Sequence, residues 1–229
     1  MTKVTDIDYI RTVARAFLHF DLLPDEKSPM LLHHSFFNCP MTVYKNEMVD
    51  LRDSATRKNV FEEITEKIQS ARSAANIADM LQPKWRMEFF KYIERHLNEE
   101  DYACLLRDAW TGSEFPNRDP GVSLAGKIRF FRKADKGLLM DKRERKVFDS
   151  LPDVVTVYRG CYGKGAQKGI SWTLSFEKAK WFADRFPMWK GTVYTATIHK
   201  KYIYAYFNDR DEQEIILDSR MLQQTEQIN

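Results

Sequence analysis

Cysteine is scarce in this chain: Cys39, Cys104 and Cys161 are the only three in 229 residues, and they are scattered. Three isolated thiols cannot complete a disulfide framework and have no metal-ligand spacing, so a reducing cytosol is the expected compartment. Histidine is almost as rare. The five present form no HExxH pattern and stand beside no paired cysteines, so no metal is expected. No apolar run approaches the roughly 18 residues needed to cross a bilayer, which argues against a membrane partner. The first residues, with Asp6 and Asp8 close behind Met1, lack the basic-then-apolar pattern of a secretory leader. Charge of one sign is missing too. Thirty-six Lys and Arg against 33 Asp and Glu leave a net charge of +3, too little to imply nucleic-acid binding by itself. The apolar share, 43%, is ordinary for a globular chain, and the length allows one large domain or a domain with a sizeable appendage.

The N-terminal part carries mostly helical patterns. Ile10, Val13, Ala14, Phe17 and Leu18 recur at helical spacing. The 33–37 segment, His33-His34-Ser35-Phe36-Phe37, reads as packing. Across 55–80 Val60, Ile64, Ile68, Ala71 and Ala75 continue a helical period, and Pro83 closes that region. A second helix is expected with Trp85, Phe89, Tyr92, Ile93 and Leu97 on one face. Asn98 caps a third, striped by Tyr102, Leu105, Leu106 and Ala109 and ended by Thr111-Gly112. The loop 116–121 is poor in helix and strand formers and marks a boundary, giving a helical region 1–120 and a core 121–229. Ser123 caps the next helix, and another short one runs over 142–148.

From Val154 the pattern changes to strands. Val154-Val155-Thr156-Val157-Tyr158 is β-branched and aromatic, and Gly160, Gly163, Gly165 and Gly169 crowd the stretch that follows. Short strands are expected at 170–173, 192–198 and 201–207, with a last one opened by Glu214-Ile215-Ile216-Leu217. One helix, capped by Ser175, intervenes. Five strands and one helix make an α+β sheet core.

Three pieces of this region carry chemistry. Tyr158-Arg159-Gly160 ends a strand with a guanidinium, whose donor fork matches phosphate oxygens, beside a glycine that admits close approach. Ser171-Trp172-Thr173 sends two hydroxyls to one face and Trp172 to the core on the other. Glu212-Gln213-Glu214 puts two carboxylates two residues apart, on one side of an extended chain, where a turn enters a buried strand. Each alone is more readily a surface ion pair, an edge strand or a charged turn before a strand. Together they can hold a pyrophosphate, shape a pocket and stabilise a sugar cation.

In that order the pieces resemble the Arg–Ser–Glu class of the ADP-ribosyltransferase fold, which includes clostridial binary toxins and arginine-modifying transferases. That class ends its first core strand on an arginine, follows with a Ser-Thr-Ser-like strand, written Ser-Trp-Thr here, and carries a Glu-x-Glu turn. The helix at 177–186 and the basic, apolar helices before Val154 are also similar, so the resemblance covers about the last 110 residues. The whole chain resembles small transferase-like proteins of bacteriophages and prophages.

The resemblance implies a split β-sheet core after a helical N-terminal region. It also implies cleavage of NAD, as co-substrate, with transfer of ADP-ribose to a protein acceptor, an arginine side chain. By position Arg159 would hold the pyrophosphate, Gly160 would offer backbone groups to the nicotinamide amide, and Ser171 would hold Glu214, with Thr173 supporting the pocket wall. Glu214 would stabilise the ribosyl cation and Glu212 would face the acceptor. Alternatives stay open: an NAD glycohydrolase, in which water is the acceptor, a non-catalytic scaffold binding a nucleotide or protein partner, and a nucleic-acid-directed protein. The last draws on nine Lys or Arg against three acidic residues over 127–146, and a pair of solvated helix faces is preferred to it because the whole-chain charge is so modest.

Overall fold

The computed structural model describes residues 3–26, 28, 30–114, 117, 121–186 and 188–228. The chain folds as two compact units, Met1–Gly121 and Val122–Asn229. Most of the boundary loop expected at 116–121 lies outside the described residues.

The first unit is built on helices. α1 (Ile7–Leu18) buries Ile10, Ala14, Phe17 and Leu18, one stripe of a 3.6-residue period, and Asp6 caps it by accepting from the Tyr9 N–H at 3.0 Å. Its last carbonyls are satisfied by the expected packing segment. The Ser35 hydroxyl donates to Phe17 O at 2.6 Å, and His34 Nε2 lies 3.2 Å from Leu18 O. Two minimal strands, β1 (Leu23–Pro24) and β2 (Leu32–His33), pair beside this segment.

Next comes a hairpin that the helical reading of this half overlooks, β3 (Met41–Tyr44) and β4 (Glu47–Asp50). Its turn residues Lys45 and Asn46 both take positive φ, 49° and 66°, as a two-residue primed turn requires. The turn carries no glycine, which is why it escapes a reading based on glycine punctuation.

The helical run expected over 55–80 is interrupted. α2 (Ser54–Ser70) stops where Ala71 turns extended, with ψ 132°, and Ser73 caps a new short helix, α3 (Ala74–Ala78). Pro83 opens α4 (Pro83–Ile93) instead of closing the region before it, a position where its missing N–H costs nothing. The buried face of α4 is Met87, Phe89, Phe90 and Ile93, and Tyr92, expected inside, is exposed. α5 (Glu99–Thr111) has the expected cap at Asn98, the expected stripe and its end at Gly112.

The second unit is α+β. α6 (Leu124–Lys133), α7 (Lys136–Leu139) and α8 (Lys142–Ser150) precede β5 (Val154–Cys161), β6 (Ser171–Thr173), α9 (Phe176–Asp184), β7 (Thr192–His199), β8 (Ile203–Phe207), β9 (Glu214–Leu217) and β10 (Gln223–Ile228). The strands make one antiparallel six-stranded sheet in the order β10-β7-β5-β6-β9-β8. Five strands were expected. The sixth, β10, is an exposed polar edge whose Gln-Gln-Thr-Glu-Gln-Ile run has no apolar alternation to announce it. All five residues of β8 are buried, and Phe207 meets Phe131 of α6 with ring centroids 6.4 Å apart.

The sheet is nearly divided in two. β5 pairs with β7 over eight residues, and β6 with β9 over three, yet β5 and β6 share the single pair Tyr158↔Thr173. Beyond that pair the strands diverge toward the glycine-rich loop 162–170. α9 packs on the β5–β7 half through Ala179 and Ala183, against Val193 and Tyr158. That contact is close enough to demand glycine: a Cβ at Gly160 would stand 1.7 Å from Ala179 O.

Candidate functional site

The three sequence pieces arrive on three adjacent strands, β5, β6 and β9. Arg159 occupies the divergence between β5 and β6. Its Nε donates to Ala166 O at 2.9 Å and its Nη1 donates to Ser171 O, so the guanidinium does the stitching that the missing ladder bonds would have done. Both of these acceptors are backbone carbonyls, and the guanidinium is charged at any working pH.

Strand register sorts the hydroxyls. Thr173 lies directly opposite Glu214, and Ser171 lies two pairs along, opposite Ile216. Directly opposed residues share a face, so Ser171, Thr173 and Glu214 face one way, together with Tyr158. Arg159, the neighbour of Tyr158, leaves the sheet on the other side and reaches β6 through the gap. Ser171 is therefore the diagonal neighbour of Glu214, and Thr173 its direct one. Trp172 is 2% exposed, as expected of a core residue, and its Nε1 donates to Gly169 O at 3.0 Å.

The Thr173 hydroxyl has two structural duties. It donates to Glu212 O at 2.8 Å and accepts from the Ser175 N–H at 3.0 Å, tying the acidic turn to the start of α9. The Leu174 N–H adds a bond to Gln213 O at 3.1 Å. From the other side, Asn208 Oδ1 accepts from the Gln213 N–H at 3.0 Å, and Glu144 of α8 accepts from the Asn208 N–H at 2.9 Å.

One premise about the acidic pair changes. Gln213 has a φ of 47° and Asp211 a φ of 55°, so the chain is not extended through Glu212, and β9 begins only at Glu214. Strand alternation therefore does not put Glu212 on the side of Glu214, and the turn sets its direction instead. Its carboxylate meets Arg210, with Arg210 Nε 3.3 Å from Glu212 Oε1, and Lys178 Nζ lies 3.2 Å from Asp211 Oδ2. Gly160 has the packing role given above, which accounts for glycine there without a ligand.

An aromatic group missed in the sequence adjoins the open end of the gap. Tyr162, next to the last residue of β5, has its ring centroid 4.7 Å from that of Trp189 and 5.5 Å from that of Phe186. Arg185 lies over both Trp181 and Phe186, at 5.5 and 5.3 Å from their centroids. Trp181 and Trp189 are half exposed and Met188 is 93% exposed. The available signal was the crowding of large aromatics between two elements, where a plain connection needs none.

Among the described residues no group of three or more His, Cys, Asp or Glu side chains could hold a metal ion, and no helix is long and apolar enough to cross a membrane. Comparison of the chain with protein-family models, curated proteins and solved structures yields no match.

Proposed function

We propose that the second unit is an ADP-ribosyltransferase-like core, a split sheet that cleaves NAD and passes ADP-ribose to an arginine side chain of a protein. One observation carries the reading: a charged arginine in the gap of a divided sheet, joined to the strand whose two hydroxyls share a face with Glu214. A pyrophosphate placed at that gap meets the Arg159 guanidinium, an anion matched to a planar cationic fork. The mutually tilted aromatic rings of Tyr162, Phe186 and Trp189 supply an apolar cluster near the end of β5, and a single ring of it is enough to stack a nicotinamide.

Breaking the bond between nicotinamide and ribose builds positive charge at C1′, and nicotinamide leaves as a neutral base with the bonding electron pair. Glu214, fixed at the mouth of β9, is the carboxylate for that charge, the task carboxylates perform in glycoside cleavage. Ser171 lies within diagonal reach of it. Glu212, aimed by its turn, orients the acceptor nitrogen and takes up the proton it loses.

The test is nicotinamide release from NAD, together with labelling of a host lysate by tagged NAD. Glu214→Gln removes the charge while keeping the side chain's shape, and it is expected to lower turnover by about 10²- to 10³-fold, the effect of losing one transition-state contact. A wild-type protein that releases no nicotinamide, or a Glu214→Gln variant as active as the wild type, would reject the proposal.

A further inference from the structure

Glu212 already holds a guanidinium. Arg210 Nε stands 3.3 Å from Glu212 Oε1, with the arginine side chain 53% exposed and the carboxylate 23% exposed. The turn that carries both is anchored on either side. Thr173 donates to Glu212 O at 2.8 Å, and Asn208 accepts from the Gln213 N–H at 3.0 Å. The left-handed residues Asp211 and Gln213 fold the chain back so that position 210 meets position 212. An arginine acceptor from outside would have to make this same contact. The contact runs through Nε, whereas the terminal nitrogens are the nucleophilic ends of the group.

We propose that Arg210 is an internal acceptor, a self-modification site for ADP-ribose. The inference rests on the reading of the site given above. The bond between ribose C1′ and the nicotinamide nitrogen breaks, and a bond forms between C1′ and a terminal nitrogen of Arg210. Nicotinamide departs with the electron pair, and the guanidinium gives up one proton, first to Glu212 and then to water. Before modification, Arg210 competes with external arginines for Glu212.

The full chain is incubated with NAD alone, and its peptides are mapped by mass spectrometry. ADP-ribose on Arg210, formed at a rate per molecule that does not change with protein concentration, is the expected result. Arg210→Gln should abolish that label and, with agmatine supplied as the acceptor, keep nicotinamide release. It should also raise transfer to agmatine, a free guanidine, by about two- to fivefold, the weight of an exposed ion pair. Nicotinamide release and agmatine modification without any label on Arg210 would overturn the inference and leave the transferase reading standing. Labelling confined to other arginines, or a rate that climbs with protein concentration, overturns it too. A wild-type chain that leaves NAD intact overturns both.

Discussion

A methyl group at position 160 would lie 1.7 Å from Ala179 O and 2.7 Å from Ala183 N, inside the backbone of α9. Backbone cannot swing aside as a side chain can, so the helix itself would have to move. Gly160→Ala should destabilise the protein by about 1–3 kcal/mol or more, as overpacking does. Urea unfolding that leaves the midpoint unchanged would show that α9 does not approach so closely. His34 makes a second prediction at this scale. It is fully buried, and the Phe36 N–H donates to its Nδ1, so that nitrogen must be bare and Nε2 must carry the proton toward Leu18 O. Burial, the largest influence, holds its pKa below the ordinary value of 6.5, against the raising effect of the Leu18 carbonyl. The unfolded chain therefore binds a proton near pH 6.5 that the folded chain refuses. The stability tied to neutral His34 is complete above that pH and declines as pH falls through it toward the lower folded value. Melting temperature should drop from pH 7.5 to 5.5 in the wild type, and by less in His34→Gln. Equal drops in the two would mean that His34 is not the group responsible.

Among elements, the connection between β8 and β9 depends on its neighbours more than on itself. Glu144 of α8 reaches Asn208, Asn208 reaches Gln213, and Thr173 of β6 holds Glu212. Thr173→Val keeps the shape of the side chain and deletes the hydroxyl, leaving Glu212 O and the Ser175 N–H without that partner. A loss of about 1–3 kcal/mol is expected, with faster amide exchange at 208–213 than in the wild type. Exchange that stays as slow as in the wild type would place the anchor elsewhere. Legibility in the sequence divided along the same line. α1 is readable from its apolar stripe, and α5, α6 and α9 from their caps Asn98, Ser123 and Ser175 and their stripes, because these are local features. The hairpin at 41–50 and the edge strand β10 are not, since Lys45-Asn46 turns without glycine and β10 buries almost nothing. Alternation does not give the direction of Glu212 for a related reason: two left-handed residues replace the extended chain that it assumes.

At the scale of the whole molecule, each of the two compact units has its own buried core. The unit Val122–Asn229, expressed alone, is expected to fold with the sheet intact and to unfold in one cooperative transition, visible by circular dichroism in urea. A fragment without dispersed amide resonances would show that this sheet needs residues from the first unit. Local spacing determined by itself that a helix-rich first part precedes a strand-rich second part, which caps begin which helices, and which short pieces carry charge and hydroxyls. These follow from contacts between residues a few positions apart. Only the tertiary structure decided that β6 inserts between β5 and β9, that β5 and β6 part after a single pair, and that Arg159 fills the opening. Strand order and register depend on pairings between residues tens of positions apart in sequence, for example Thr173 with Glu214, and no local pattern encodes them.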